Sequence, residues 1–278
     1  MKVLIVAGGY PSQNSISGIF IHQQALALKK AGIDIVVLEI DLRSFRRLRK
    51  LGFYKDCFEG VSVYRFAIPI GPFPRLTRRI GRMAAAYAIK KIVLELGEPD
   101  IVHAHFWNAA EWLVELRNKY RTPIIVTEHS SSIAGGNIEQ KTATLISELY
   151  KKCDAIIAVS SILKTQILKI TGAESETIPN ILNNSFMINR INKNKEFSFI
   201  SIGNLIERKR FDLTISAFAK FLLKYPNSRL TIIGSGIEQC NLQKLVNEHH
   251  IEAKVDFLGT IPNCKLPSVY ARHHVFVL

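Results

Sequence analysis

Cysteine is scarce and scattered. Cys57, Cys153, Cys240 and Cys264 form no CxxC pair, so no cysteine-type zinc site and no disulfide framework is encoded, and a reducing cytosol is the expected compartment. Long apolar runs are missing too. Val3 to Ala7 is shorter than the hydrophobic region of an export signal. No segment approaches the ~18 to 20 apolar residues of a membrane span. The expectation is a protein neither exported nor integral to a membrane. Acidic residues are in deficit, 23 Asp plus Glu against 37 Lys plus Arg, a formal charge of +14. No aromatic-interleaved basic motif and no zinc-finger spacing accompanies that charge, so nucleic acid is not an expected partner.

What is present suits a folded enzyme. Of 278 residues, 47% are apolar and 22% charged, enough to bury the cores of two α/β domains. Part of the positive charge is patterned. Arg43, Arg46, Arg47 and Lys50 share one helical face, and Arg75, Arg78, Arg79 and Arg82 repeat the spacing with Leu76, Ile80 and Met83 on another face. Basic amphipathic helices suit an anionic membrane surface, which would place the protein peripherally on the inner face of the cell membrane. A solvated helix face is the plain alternative.

Short Val/Ile/Leu runs alternate with helical patterns: Val3–Ala7, Ile33–Ile40, Val61–Phe66, Ile101–His103, Ile124–Thr127 and Ile156–Val159. Strands that are apolar throughout are covered on both faces, which predicts a parallel sheet flanked by helices. Residues 183–195, NNSFMINRINKNK, interrupt the pattern, and strand and helix then alternate again from Phe197 to Leu278. This predicts two Rossmann-like domains, 1–185 and 186–278, with a ligand cleft between them at the carboxyl ends of the strands. The chain stops on the apolar Val275-Phe276-Val277-Leu278, which reads as a truncation within the second domain.

Three turns could handle phosphate. Arg208, Lys209 and Arg210 open a helix after a strand; backbone N–H groups and three cations there would favour an anion, and a lysine would neutralise a departing diphosphate. A solvated basic turn is the alternative. Gly234 and Gly236 follow a strand in Ile233-Gly234-Ser235-Gly236 and would let a phosphate or ribose approach the backbone. Gln239 holds the third glycine position, so this is not the dinucleotide fingerprint. Gly18 starts a helix after the Gly8-Gly9 strand end, in what could equally be a flexible loop. Among the histidines, His103 and His105 point the same way at a strand end without an evident third metal ligand. His129 follows a strand beside Ser130, Ser131 and Ser132, placed to hydrogen-bond a substrate hydroxyl.

In order along the chain, these features resemble glycosyltransferase family 4, the retaining GT-B enzymes. The matching pieces are Gly18-Ile19-Phe20 before a Gln-x-Ala-Leu helix, Val102-His103-Ala104-His105, Thr127-Glu128-His129, Val159-Ser160 and Ile178-Pro179-Asn180. Then follow Gly203-x-Leu-x-x-x-Lys209, Ile233-Gly234-Ser235-Gly236 and Val255-Asp256-Phe257-Leu258-Gly259. The resemblance implies Gly18 and Lys209 on the diphosphate of a nucleotide-sugar donor, Gly234 and Gly236 on its nucleotide side, and His129 beside the transferred sugar. It also implies a glycan or lipid-linked acceptor in surface polysaccharide synthesis, reaction with retention, and no metal or cofactor. Asn204, Arg210 and Ile181 depart from the family pattern. Asn204 stands where the family usually has a diphosphate-binding arginine, so one diphosphate contact is expected either to be missing or to be replaced by Arg208. The family's paired glutamates would lie beyond Leu278, so the chain as it stands is expected to have little activity. A sugar-nucleotide epimerase of the same fold and an inactive membrane-binding remnant are the competing expectations.

Overall fold

The alternation of side chains along a buried strand explains the first sheet. In β1 (Lys2–Ala7) Leu4 and Val6 face one way, and Val3 and Ile5 the other. Each set enters its own core, so the sheet is covered on both sides. The computed structural model describes residues 1–13, 15–43, 49–70, 74–114, 117–182, 186 and 195–278, without the side chains of residues 74, 75, 118 and 119. The chain divides into two compact units, Met1–Leu182 and Asn183–Leu278.

Unit 1 carries β1, β2 (Asp34–Asp41), β3 (Gly52–Phe58), β4 (Val61–Ala67), β5 (Ile101–His105), β6 (Ile124–Glu128), β7 (Ala155–Ala158) and β8 (Glu176–Thr177). Their order in the sheet is β3-β4-β2-β1-β5-β6-β7-β8. On one face α1 (Ile19–Lys30) packs Ile21 and Ala25 against Val3, Ile5 and Val37. The other face is covered by α2 (Pro74–Leu96), α3 (Trp107–Leu113), α6 (Gln140–Tyr150) and α7 (Ser161–Thr171), with the short α4 (Arg117–Tyr120) and α5 (Ser131–Ala134) in the connections.

The sheet is parallel except at one edge. β3 runs antiparallel to β4 in a hairpin whose turn is Glu59-Gly60, both at positive φ (45° and 77°). That is the backbone of a two-residue turn matching strand twist, with glycine at its second position. A wholly parallel sheet was the expectation from apolar runs, and β3 escapes that rule because an edge strand is exposed and not uniformly apolar.

In unit 2, β9 (Phe197–Ile202), β10 (Ser228–Ile233), β11 (Val255–Phe257) and β12 (Val275–Phe276) form a parallel sheet in the order β11-β10-β9-β12. The helices α8 (Phe211–Lys224), α9 (Gln239–Glu248) and α10 (Leu266–Arg272) alternate with them. Phe211, Ile215 and Phe218 of α8 and Leu242 and Val246 of α9 close over Leu230 and Ile232.

The two basic segments behave differently from the amphipathic helices expected. Arg43 and Lys50 lie outside any helix, and Arg46 and Arg47 lie outside the described residues. Arg43 and Arg49 turn back onto the buried Asp41, with Nε–carboxylate distances of 2.8 and 2.9 Å. The second segment is helical, but Arg78 and Arg82 reach Glu111, which is buried on α3. A buried carboxylate recruits whatever cation its neighbours offer, because leaving it unpaired costs more than the pairing itself contributes. Arg79, Leu76 and Met83 remain exposed. Among the described residues no helix is long and apolar enough to cross a membrane.

Candidate active site

In a parallel sheet every strand delivers its carboxyl end to the same edge. In unit 1 the edge beyond β1, β5 and β6 opens into a cavity of about 400 Å³ lined by Gly8, Gly9, Gly18, Phe20, Phe106 and Ser130, among others. Gly18 caps α1 with φ 74°, and a Cβ there would collide with the Gly9 carbonyl. Glycine is therefore required twice over, by backbone conformation and by space. The turn this makes starts α1 at the cavity, with Ile19 N–H donating to the Ile16 carbonyl at 3.1 Å and Ile21 N–H to the Gly18 carbonyl at 2.9 Å.

His129 lies behind two residues that line the cavity, Phe20 and Phe106, with ring centroids 4.4 and 5.1 Å away. Phe106 holds φ 69° and ψ 150°, a region that side chains rarely occupy. Its N–H donates to the Thr127 carbonyl at 2.9 Å, which helps hold the β5–α3 turn beside β6. Such strain persists where the surroundings over-determine it, and here it sets the ring that covers His129.

Glu128 organises the same corner. Its fully buried carboxylate accepts from the backbone N–H of Trp107, His129 and Ser130 at 3.0, 2.9 and 2.9 Å and from the Tyr150 hydroxyl at 2.9 Å. Burial raises its pKa, and the four donors work against that rise. Glu128 stands inside the Thr127-Glu128-His129 motif, where the order of residues alone assigns it no role. An acidic residue ending an otherwise apolar strand was the available signal, because a buried carboxylate must be fully hydrogen-bonded.

Three imidazoles line up behind the cavity. His103 and His105 do share a face, as their spacing requires, with rings 4.7 Å apart, and His105 Nδ1 lies 2.9 Å from His129 Nε2. His103 Nε2 meets the Thr127 hydroxyl at 2.7 Å. Burial pushes His103 and His129 down to about 4, with the neighbouring His103 adding to the fall at His129, and drives His105 well below its ordinary value. All three rings are neutral at pH 7. Among the described residues no group of three or more His, Cys, Asp or Glu side chains is arranged to hold a metal ion.

A second cavity of about 390 Å³ lies beyond β2 and β4, and Arg43 lines both. Its walls include the buried Arg65, ion-paired to Glu39 and, at 2.7 Å, to Asp56, with Asp41, Arg43 and Arg49 opposite Tyr54. Arg43 also donates to Ser17 Oγ at 3.2 Å, one residue before Gly18. Of these side chains only Arg43 belongs to the helical spacing visible in the sequence. Strand pairing brings the others together.

In unit 2 the turn after β9 carries the predicted cations. Glu207–Lys209 form a 3-10 turn, and Arg210 follows at φ 50°. Lys209 is half-buried, its Cε 4.0 Å from where a Cβ on Gly203 would stand, so its stem lies over the carboxyl end of β9. Arg208 is exposed, and Arg210 is taken up by Asp212 at 2.8 Å. Arg210 thus keeps the left-handed backbone that favours glycine at this position.

Gly234 and Gly236 serve a packing purpose that the sequence did not disclose. A Cβ on either would collide with backbone, the Gly203 carbonyl for Gly234 and the Leu205 carbonyl for Gly236. Leu205 N–H donates to the Ser235 carbonyl, and Glu238 N–H to the Leu205 carbonyl, both at 3.0 Å. The glycines let the Lys209 turn and the β10–α9 turn lie flush.

Comparison with known proteins agrees with this architecture. Residues 17–186 match the family Glycosyltransferase Family 4, and residues 183–278 match Glycosyl transferases group 1. An uncharacterised glycosyltransferase of Methanocaldococcus jannaschii is 26% identical over 304 residues, covering 100% of this chain and 74% of the relative. Among solved structures, sucrose-phosphate synthase of Thermosynechococcus elongatus superposes with a TM-score of 0.72 at 17% identity, over 99% of this chain and 74% of that one. HepE of Anabaena, in complex with UDP and glucose, gives 0.69 at 17% identity, over 99% and 73%. The fold is the GT-B type, built from two Rossmann-like units. The chain belongs to glycosyltransferase family 4 and is a glycosyltransferase.

Proposed function

We propose that the protein transfers a sugar from a nucleotide-sugar donor to a hydroxyl of a glycan or lipid-linked acceptor, with retention at the anomeric carbon. In this reading Lys209 and Arg208 receive the donor diphosphate, and Gly18 offers backbone amides to the same group. His129 hydrogen-bonds the sugar, and the charged cavity around Arg65 receives the acceptor. The family membership and the UDP and glucose bound by HepE support a nucleotide-sugar donor.

One observation carries the assignment of Lys209. It lies along the strand end over Gly203 with no ion-pair partner among the described residues, while neighbouring Arg210 is held by Asp212. A cation kept unpaired at the carboxyl edge of a parallel sheet is placed for a phosphate oxygen. Charge builds on the diphosphate as the glycosidic bond to it breaks, so a fixed ammonium stabilises that state more than the ground state.

Calorimetric titration with UDP, ADP and GDP tests this. The expectation is that one diphosphate binds and that Lys209→Ala weakens it by about ten-fold or more, with an unchanged melting temperature. Equal affinity in the variant would remove Lys209 from the donor site. A coupled product assay with the matching sugar nucleotide should show a new glycosidic bond, not an altered donor sugar.

A further inference from the structure

Buried and exposed positions divide α2 into two sides. Ala84, Ala85, Ala88, Ile89 and Ile92 face the core, and Arg78 and Arg82 turn toward the buried Glu111. The opposite side of such a helix is ordinarily polar. Here Leu76, Met83, Tyr87 and Leu94 are 46, 64, 48 and 74% exposed. Steps of 7, 4 and 7 residues set all four within about 20° of one line along the helix, a stripe about 27 Å long. Exposed apolar side chains scattered singly need no partner, whereas a row of them does. Arg79 and Lys90 flank the row on one side and Lys91 on the other, all exposed and without an ion-pair partner among the described residues. Lys91 lies over the Tyr87 ring, 5.9 Å from its centroid. Glu95, the sole carboxylate of α2, is taken by Lys55 at 2.7 Å.

We infer that this face of α2 docks the protein on an anionic lipid surface, with Leu76, Met83, Tyr87 and Leu94 entering between the headgroups and Arg79, Lys90 and Lys91 meeting lipid phosphates. Charge complementarity selects that occupant. A second copy pairing through the same face would set these cations against their own counterparts, in a chain that already carries +14. A planar anionic surface accepts a straight apolar row with cations along both flanks. A tyrosine in the row suits the headgroup level, where its apolar body and its hydroxyl are both accommodated. Of the four arginines in the sequence pattern, Arg78 and Arg82 serve Glu111 instead, and Lys90 and Lys91, about three turns beyond Arg79, supply the charge. The face lies outside the donor and acceptor assignments, so failure of the Lys209→Ala test leaves it standing.

Co-sedimentation of the full chain with vesicles tests this. Binding is expected to vesicles of phosphatidylcholine and phosphatidylglycerol in equal parts and not to phosphatidylcholine alone, with release at high salt. Arg79→Gln, Lys90→Gln and Lys91→Gln combined should weaken partition about a hundred-fold, or about five-fold per cation. Lys141→Gln, Lys164→Gln and Lys169→Gln, on α6 and α7, remove the same charge elsewhere and should weaken it about two-fold at most. Met83→Ser with Leu94→Ser should weaken it about ten-fold. Leu223→Ser, at a side chain 88% exposed on α8, should leave it unchanged. All these side chains are exposed, so the melting temperature should hold throughout. Equal loss in the two triple variants would mean attraction to net charge alone and overturns the inference. Wild-type protein that ignores the anionic vesicles overturns it as well. So does a wild-type dimer in sedimentation velocity that Met83→Ser with Leu94→Ser converts to a monomer, which would make the stripe an interface between copies.

Discussion

Tyr150 donates its hydroxyl to Glu128 Oε2 at 2.9 Å inside the core, although 22 residues separate them. α6 is thereby tied to the strand end that carries His129. Glu128→Gln replaces a four-acceptor carboxylate with an amide whose NH₂ must face two of the four donors. Stability should fall by about 2–4 kcal/mol, and Tyr150→Phe by about 1 kcal/mol, read by urea unfolding. If Glu128→Gln is as stable as the wild type, the carboxyl is protonated in the native protein and the donor count is wrong.

Gly18→Ala and Gly234→Ala both force a Cβ into backbone at a positive φ. Each should cost about 3 kcal/mol or more. Gly172→Ala is the control, since its φ is 71° but nothing lies within 4 Å of the added atom. It should cost about 1 kcal/mol, the conformational part alone. Equal melting temperatures for all three would show that the loops yield.

The imidazoles make stability depend on pH. Burial pushes His103 and His129 down to about 4 in the native protein and His105 well below its ordinary value, against about 6.5 when unfolded. Between pH 6.5 and 4 the unfolded chain therefore binds protons that the native one does not, so stability falls as pH falls. Each ring should remove about 1 kcal/mol between pH 7.5 and 5.5. The raised pKa of Glu128 acts in the opposite sense near the bottom of the window. Urea midpoints that do not change from pH 7.5 to 5.5 would mean that the histidines are charged or solvated.

Arg65 and Glu39 supply a test of the second cavity. Arg65→Met leaves the buried Glu39 with only Arg43, at 3.7 Å, as a cation partner and should destabilise by about 3 kcal/mol. Adding Glu39→Gln, which keeps an acceptor for the Tyr10 N–H at 2.8 Å, should recover most of that loss. With the pair absent, acceptor affinity should drop while donor affinity holds. A double variant with normal acceptor use would restrict the cavity to a structural role.

Much of the fold could be read from residue order. Buried parallel strands are apolar on both faces, so β1, β2 and β5 to β7 declare themselves by composition. Gly18 and Lys209 stood out because strand-to-helix turns gather at one edge of such a sheet. The edge strand β3, half-exposed and only partly apolar, lacked that signature.

What the sequence determined by itself was therefore local: which runs become strands, and which residues fall at their ends. Only the tertiary structure decided which distant groups meet. Asp41 draws Arg43 out of an expected helix face, Gly203 and Leu205 require Gly234 and Gly236, and His105 meets His129 across two neighbouring strands. The last two pairings follow from sheet register and burial, which join residues 24 and 31 positions apart. Periodicity within a single segment carries no information about them, because it describes one element's faces and not what is packed against them.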